Sequence, residues 1–176
     1  AFLDDDDFWL PNKLQDQYDQ ITKSEEIALV YGAYFFFDGD VRSKVFHSKQ
    51  CTDYFEPLLA NVDGFCASAS NPMLRLSAAK EVQGYKDWIK SGEDYYLYIE
   101  LSKKYSFIYV DKCLLAIRDH QGPRLIGRLE DRITLEEEIL ARHGEEVSAT
   151  TKLFLLRKIA GKYVRNGDAV KGRVLL

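Results

Sequence analysis

Two groups of carboxylates are the residues in this chain best suited to chemistry. Asp4, Asp5, Asp6 and Asp7 stand side by side between the apolar Ala1-Phe2-Leu3 and Phe8-Trp9-Leu10-Pro11. Glu93 and Asp94 form the second group, directly after Ser91-Gly92. Four adjacent anions repel one another, so either solvent or a partner must hold them. Hard oxygen ligands at the carboxyl end of a strand suit a divalent cation such as Mg²⁺ or Mn²⁺ shared with a phosphate group. The plain alternative is a solvated acidic turn. An EF-hand loop is excluded, because counting from Asp4 puts Trp9 at the turn glycine and Gln15 at the bidentate glutamate. For Glu93 and Asp94 the plain alternative is helix capping, since a helix N-terminus stabilises an ionised carboxylate.

The elements that must carry these residues follow from the pattern along the chain. Ala1 to Leu3 reads as the end of a buried strand. Pro11 reads as the first residue of a helix with Leu10, Leu14, Tyr18 and Ile21 as its inner face. Ile27 to Phe37 is an almost wholly apolar β run, which Asp38-Gly39-Asp40 turns into a second run from Val41 to His47. That hairpin should have a central first strand and a second strand nearer an edge. Tyr54 to Ala60 predicts a short helix that tolerates Pro57 in its first turn. Phe65 to Ser70 predicts a strand broken by Asn71-Pro72, and Leu76 to Val82 a short helix with Ser77 as its cap and an end near Gly84.

Tyr95 to Lys104 predicts a helix with a stripe of Leu97, Tyr98, Leu101 and Tyr105, which places Glu93 and Asp94 at its N-terminus. Phe107 to Val110 and Leu114 to Ile117 predict two strands separated by Asp111-Lys112, and Arg118-Asp119-His120 leads out of the sheet. Beyond Gly122 only helical patterns remain: Leu129 to His143, Thr150 to Arg165, and a third starting at Asp168. The one internal boundary expected lies near residue 123.

A chain of 176 residues with 46% hydrophobic content can bury a core as one domain with a helical appendage. Its formal charge of −4 argues against a nucleic-acid binder, whose mark would be a basic face. No apolar run approaches the ~20 residues that span a bilayer, and no charged-then-apolar leader opens the chain. Cys51, Cys66 and Cys113 are odd in number and widely separated, which fits a reducing cytoplasm better than a disulfide scaffold or zinc knuckle. Ala1 falls inside an element already in progress, so the chain is expected to be cut from a longer one.

Three segments, taken in order, carry a likeness. They are Phe2 to Leu14 (Phe-Leu-Asp-Asp-Asp-Asp-Phe-Trp-Leu-Pro-Asn-Lys-Leu), Ser91 to Leu97 (Ser-Gly-Glu-Asp-Tyr-Tyr-Leu) and Ile117-Arg118-Asp119-His120. Together they resemble the inverting, metal-dependent glycosyltransferases of the GT-A fold, over roughly residues 1 to 122. Ala69 to Arg75 is similar to that family's acceptor-side strand with its small polar residues. The resemblance implies an α/β fold, the C-terminal part of a Rossmann-like, mixed-sheet GT-A domain. Residues 1–122 would be its acceptor-side half and 123–176 a small helical tail. The family's nucleotide-binding half would precede the Asp-rich loop and is not in this sequence. Tyr95-Tyr96-Leu97-Tyr98-Ile99-Glu100 stands where Asp-Leu-Trp-x-Arg is more usual, which leaves the acceptor open.

The resemblance implies transfer of a sugar from a nucleotide diphosphate to a hydroxyl with inversion, in the synthesis of a surface polysaccharide or glycan. Asp6 would bind Mn²⁺ or Mg²⁺ on the diphosphate, and Asp4 would support the ribose or the metal's water shell, with Asp5 and Asp7 also on the donor side. Asp94 would be the general base, and Glu93 would orient the site or cap the helix. His120 would reach the metal or diphosphate, or serve only the fold; Arg118 would contact phosphate or pair with a carboxylate. Ser70, Trp9 and Tyr95 fall on the acceptor side, with Trp9 first of all a core residue. Helical geometry splits Tyr95, Tyr96 and Tyr98, so at least one should face out and stack on an acceptor sugar.

The implied partners are a nucleotide-sugar donor and a carbohydrate, lipid-linked or protein-linked acceptor, with no nucleic acid. The implied setting is cytoplasmic, with peripheral membrane association at the inner face. The helical tail is open to holding the membrane periphery or a partner, although its charges (Glu136, Glu137, Glu138, Lys152, Arg157 and Lys158) read more simply as a solvated face. Two other classes compete: a non-catalytic structural or interaction module, and a phosphoryl-transfer or hydrolytic domain using the same carboxylates.

Overall fold

A computed structural model describes residues 1–60, 65–119 and 128–175. In chain order its elements are β1 (Phe8–Trp9), α1 (Lys13–Ile21), β2 (Ile27–Asp38), β3 (Val41–Arg42), α2 (Phe55–Leu59), β4 (Met73–Leu74) and α3 (Leu76–Glu81). They continue with α4 (Glu93–Ser102), β5 (Ser106–Arg118), α5 (Leu129–His143), α6 (Ala149–Arg165) and α7 (Ala169–Val174). Among the described residues the strands form one mixed sheet in the order β1-β5-β2-β3, with β4 also pairing β2. The fold is α/β. No helix of the described residues is long and apolar enough to cross a membrane.

The centre of the sheet is β2, whose residues Ile27 to Phe35 are all buried. A strand covered on both faces has no reason to alternate, and this one reads as a continuous apolar run for that reason. It lies parallel to β5, a pairing that needs a long crossover, and the helices α2, α3 and α4 lie within the crossing segment. Successive side chains point to opposite faces. Leu29, Tyr31 and Phe107 therefore join one core with Leu59, Leu97 and Leu101, while Val30, Ile108 and Val110 meet Ile21 of α1 on the other side.

The two strands expected at Phe107–Val110 and Leu114–Ile117 are one strand, β5, with an irregularity in its middle. Gly32 pairs with Val110 and the next residue, Ala33, pairs with Cys113, so Asp111 and Lys112 have no partner in β2. A bulge of this kind lets two polar residues reach solvent without ending the strand. It also folds β5 over Gly32: a Cβ there would lie 2.5 Å from Leu114 Cδ1 and 3.0 Å from the Lys112 carbonyl. On the opposite edge, the Asn71 side chain takes the place of a strand backbone. Its Oδ1 accepts from Gly32 N at 3.0 Å and its Nδ2 donates to Gly32 O at 2.9 Å, one residue before Pro72, which has no N–H to give.

Several local expectations are corrected. Ala1–Leu3 is not a buried strand: Phe2 and Leu3 are exposed and unpaired to the sheet, because the first strand to reach β5 is β1. Phe65–Ser70 is not a strand either, since its serines turn to bond the acidic loop and the extended pair falls later, at Met73–Leu74. Pro11 and Asn12 form a turn, with Asn12 in the left-handed region at φ 66°, and α1 begins at Lys13. Arg75 rather than Ser77 stands at the N-cap position of α3, without a side-chain cap bond. The hairpin's second strand is reduced to Val41–Arg42 plus a single bridge from Phe46 to Tyr34.

The inner face of α1 also differs from expectation. Leu14 and Tyr18 are exposed, and Lys13, Gln17 and Ile21 are buried. The Gln17 amide donates to Val30 O at 2.9 Å and to Asn71 O at 2.8 Å. Two buried carbonyls left without donors would cost more than two exposed apolar side chains, so the polar face turns inward.

The composition shift near residue 123 does not interrupt the core. Leu135, Ile139 and Leu155 of α5 and α6 belong to the same apolar cluster as Tyr31 and Leu97. The Glu56 carboxylate of α2 accepts from Ser148 N at 2.9 Å and from Thr151 Oγ1 at 2.7 Å, which fastens the start of α6. Lys103 pairs with Glu146 at 2.6 Å.

Candidate active site

The acidic loop is set by β1, which runs antiparallel to the end of β5 with Phe8 opposite Ala116 and Trp9 opposite Leu115. This pairing delivers the four aspartates to the rim of the sheet beside Arg118. Asp7 is buried; its Oδ1 accepts from the Arg118 backbone N at 3.3 Å and its Oδ2 from the Ser68 hydroxyl at 2.8 Å. Asp4 and Asp5 are exposed and Asp6 is half-buried. The repulsion among the four is thus relieved by fixing one carboxylate inward and leaving the others near water.

A second segment laces the loop in place. The Asp4 backbone N donates to Ser70 Oγ at 2.9 Å, Ser68 Oγ lies 3.2 Å from Asp4 Oδ2, and Trp9 Nε1 donates to Ser70 O at 2.9 Å. Ser68 Oγ accepts in turn from Ser70 N at 3.0 Å. Ser70 is fully buried, and its role here is to hold the loop.

Asp94 enters from α4. Gly92 caps that helix in the left-handed region at φ 83°, and a Cβ on it would meet Leu135 Cδ2 at 2.8 Å. Glu93 is exposed and Asp94 half-buried, with its own Oδ1 accepting from Tyr95 N at 2.7 Å. Burial raises the Asp94 carboxyl above the ordinary aspartate range, and the charges of Glu93 and Asp4 add to the rise. The tertiary structure has therefore brought the two carboxylate groups, far apart in sequence, within each other's electrostatic reach.

Titratable residues outside the expected set feel these carboxylates or one another. The Tyr85 phenol is pushed up to about 12 by burial and by Asp94, Glu93 and Asp4. Lys13 is 1% exposed, donates to Gln17 Oε1 at 2.7 Å and sits 4.6 Å from the centre of the Trp9 ring. Burial pulls its ammonium down to about 8, against the opposing influence of Cys66. The Cys66 thiol is pushed well up by burial, then by Asp94. The every-fourth spacing of Lys13, Gln17 and Ile21 was the available signal for Lys13, and the Ala-Ser-Ala-Ser run for Ser68.

Other expected site residues sit elsewhere. The Arg118 guanidinium lies over the Phe37 ring at 5.6 Å, so this residue meets the acidic loop through its backbone. The expectation that at least one of Tyr95, Tyr96 and Tyr98 faces out is overturned: Tyr96 and Tyr98 are buried, and the half-buried Tyr95 donates its hydroxyl to Leu58 O at 2.9 Å. The reason is that α4 is covered on both flanks, by α2 and by α5 with α6, so it has no broad solvent face. Trp9 is half-buried, between Lys13 and the Tyr34 cluster. His120 lies outside the described residues.

Among the described residues no group of three or more His, Cys, Asp or Glu is gathered as a metal cage. Mg²⁺ needs none, since it keeps several waters and binds through one or two carboxylates together with substrate phosphates. The exposed Asp4 and half-buried Asp6 are hard donors of that kind, so the donor set fits such an ion. Compared with protein-family models the chain matches none, and the comparison with curated proteins finds no match.

Proposed function

We propose that the chain is the acceptor-side half of a GT-A-type glycosyltransferase, moving a sugar from a nucleotide-diphosphate donor to a hydroxyl acceptor with inversion at the anomeric carbon. The observation that carries this reading is the convergence of the acidic loop and Asp94: Asp4's charge reaches a carboxyl that burial has already made more basic. Inverting transfer needs two separate acidic stations, one for the leaving diphosphate and one for the incoming hydroxyl, and the acidic loop and Asp94 are the carboxylates that would serve as the two.

Asp94 is the general base. It accepts the acceptor hydroxyl's proton as that oxygen bonds to the anomeric carbon, and the diphosphate departs from the opposite face. A carboxylate of raised pKa lies nearer the working pH and is a stronger base than a solvated aspartate. Asp6 and Asp4 would hold Mn²⁺ or Mg²⁺, which neutralises charge on the departing diphosphate as a Lewis acid. Asp7 and Ser68 keep the loop in shape, and Glu93 adds negative charge that favours proton uptake at Asp94.

The test is transfer from a panel of nucleotide sugars by the full-length gene product, with and without Mn²⁺. Asp94→Asn should lower turnover by about 10² to 10⁴ while leaving calorimetric binding of the donor intact. Asp6→Ala should lose metal dependence and activity together. Unchanged turnover in Asp94→Asn, or an unchanged Mn²⁺ titration in Asp6→Ala, would remove the corresponding residue from the mechanism.

A further inference from the structure

A cavity of about 360 Å³ lies between the segment that follows α3, the middle of α4 and the end of α5. Ligand sites begin at roughly 300 Å³, so the space suits a small molecule. None of its lining residues belongs to the acidic loop or to the Glu93-Asp94 pair. Gln83, on the wall, stands in the left-handed region at φ 63° without being glycine. Backbone cost of that kind persists where the surroundings fix the turn, and this turn carries Lys86 and Trp88 to the cavity.

The wall is an aromatic corner surrounded by polar groups. The Trp88 indole is 44% exposed, yet it is held by the Tyr96 ring edge-on at 5.4 Å and by the Arg142 guanidinium at 5.6 Å. A fixed indole that still meets solvent is a platform for the apolar face of a ring. Donors and acceptors are mixed around it. Arg142 Nε donates to Glu138 at 2.6 Å, Lys104 Nζ to Glu81 Oε1 at 3.0 Å and Lys86 Nζ to the Val82 carbonyl at 2.7 Å. Glu100 is backed by the buried His143, whose Nε2 lies 3.1 Å from Glu100 Oε1. A guanidinium or an ammonium carries further N–H donors beyond one such bond, and a carboxylate further lone pairs.

We propose that this cavity is a holding site for a neutral hexopyranose unit, separate from the two carboxylate groups of the candidate active site. The C–H face of the ring stacks on Trp88. Each hydroxyl on its rim is both donor and acceptor, so it pairs equally with the cations and with the carboxylates of the wall. A phosphorylated ligand would call for cations without partners, whereas Lys104 and Arg142 already face Glu81 and Glu138. A wholly apolar ligand would strip water from charged groups and give nothing back. The inference does not rest on the transferase reading, because the cavity shares no residue with the carboxylates that carry that reading.

The experiment is titration of the purified full chain with the methyl glycosides of glucose, galactose and mannose, and with cellotetraose, followed by NMR at the indole N–H groups. The chain has two tryptophans, and the signal missing from Trp88→Ala assigns Trp88. That signal should shift saturably with at least one sugar, with Kd on the order of 1 to 10 mM for a ligand of about a dozen heavy atoms, while the Trp9 signal stays in place. Tighter binding of cellotetraose marks a glycan chain as the occupant, and equal binding a single unit. Lys86→Met, which leaves the platform intact, should weaken binding about tenfold, and in Trp88→Ala saturation transfer to the sugar's ring protons should vanish. Asp94→Asn should leave the Trp88 shift unchanged, so failure of sugar transfer and failure of this site are separate results. No shift at Trp88 with any of these sugars, equal affinity in Lys86→Met, or saturation transfer retained in Trp88→Ala would each overturn the proposal.

Discussion

The Ser68 hydroxyl donates to Asp7 Oδ2 at 2.8 Å across 61 residues of chain. That bond is one of four that tie the acidic loop and the start of β1 to the Ser68–Ser70 segment, so the shape of the loop depends in part on a residue that offers no chemistry of its own. Its removal should be felt in two ways. Ser68→Ala leaves a buried carboxylate oxygen without its donor and should cost about 1 to 3 kcal/mol of stability in denaturant unfolding. In the full-length protein it should also weaken Mn²⁺-dependent donor binding, measured by calorimetry, because Asp4 loses the same hydroxyl.

Asp94 should trade stability for basicity. Its carboxyl is raised above 3.8 in the folded state, chiefly by burial, so the fold carries no penalty while the group is protonated and a growing one as pH rises through the folded-state pKa. An asparagine amide at this position cannot ionise. Asp94→Asn should therefore raise the melting temperature at neutral pH, where activity is lost, and leave it unchanged at about pH 3. Equal melting curves at neutral pH would show that burial does not strain this carboxylate.

Lys13 gives the opposite pH signature. Its ammonium is lowered from 10.5 to about 8 by burial, so the folded state is penalised below that range and recovers as pH climbs from about 8 toward 10.5. Wild type should gain on the order of 2 kcal/mol across that interval relative to Lys13→Met, which carries no titrating group there. The comparison of the two proteins by urea unfolding at both ends of the interval is the measurement.

Gly32 is held by space on one edge and by Asn71 on the other. Gly32→Ala should destabilise by about 1 to 3 kcal/mol, since Leu114 can shift but the Lys112 carbonyl belongs to the bulge. Asn71→Ala should cost a similar amount, about 1 to 3 kcal/mol for each backbone group left without a partner. Denaturant unfolding of both single variants and the double variant is the check. The double variant should be less than additive, because both changes act on the same stretch of β2.

The long elements were legible along the chain because their signals are local. An eleven-residue apolar run at Ile27 to Phe37 has few folds open to it, and Leu129 to His143 carries its own period and stop, so both appear in the structure almost as read. The carboxylates at the head of α4 were legible for the same reason. The short pieces were not. Asp111-Lys112 is a break or a bulge depending on whether a partner strand continues past it, which only β2 decides.

By itself, the order of residues determined an α/β chain with two carboxylate groups and a helical end, since periodicity, turns and charge are properties of neighbours. Tertiary structure alone decided which face of α1 is inner, because the need of Val30 and Asn71 for a donor outweighs the burial of Leu14 and Tyr18. It alone turned Tyr96 and Tyr98 inward, since a helix flanked on both sides has no broad free face. It also brought Asp4 within reach of Asp94, through a crossover and a serine lacing that contacts between sequence neighbours cannot specify.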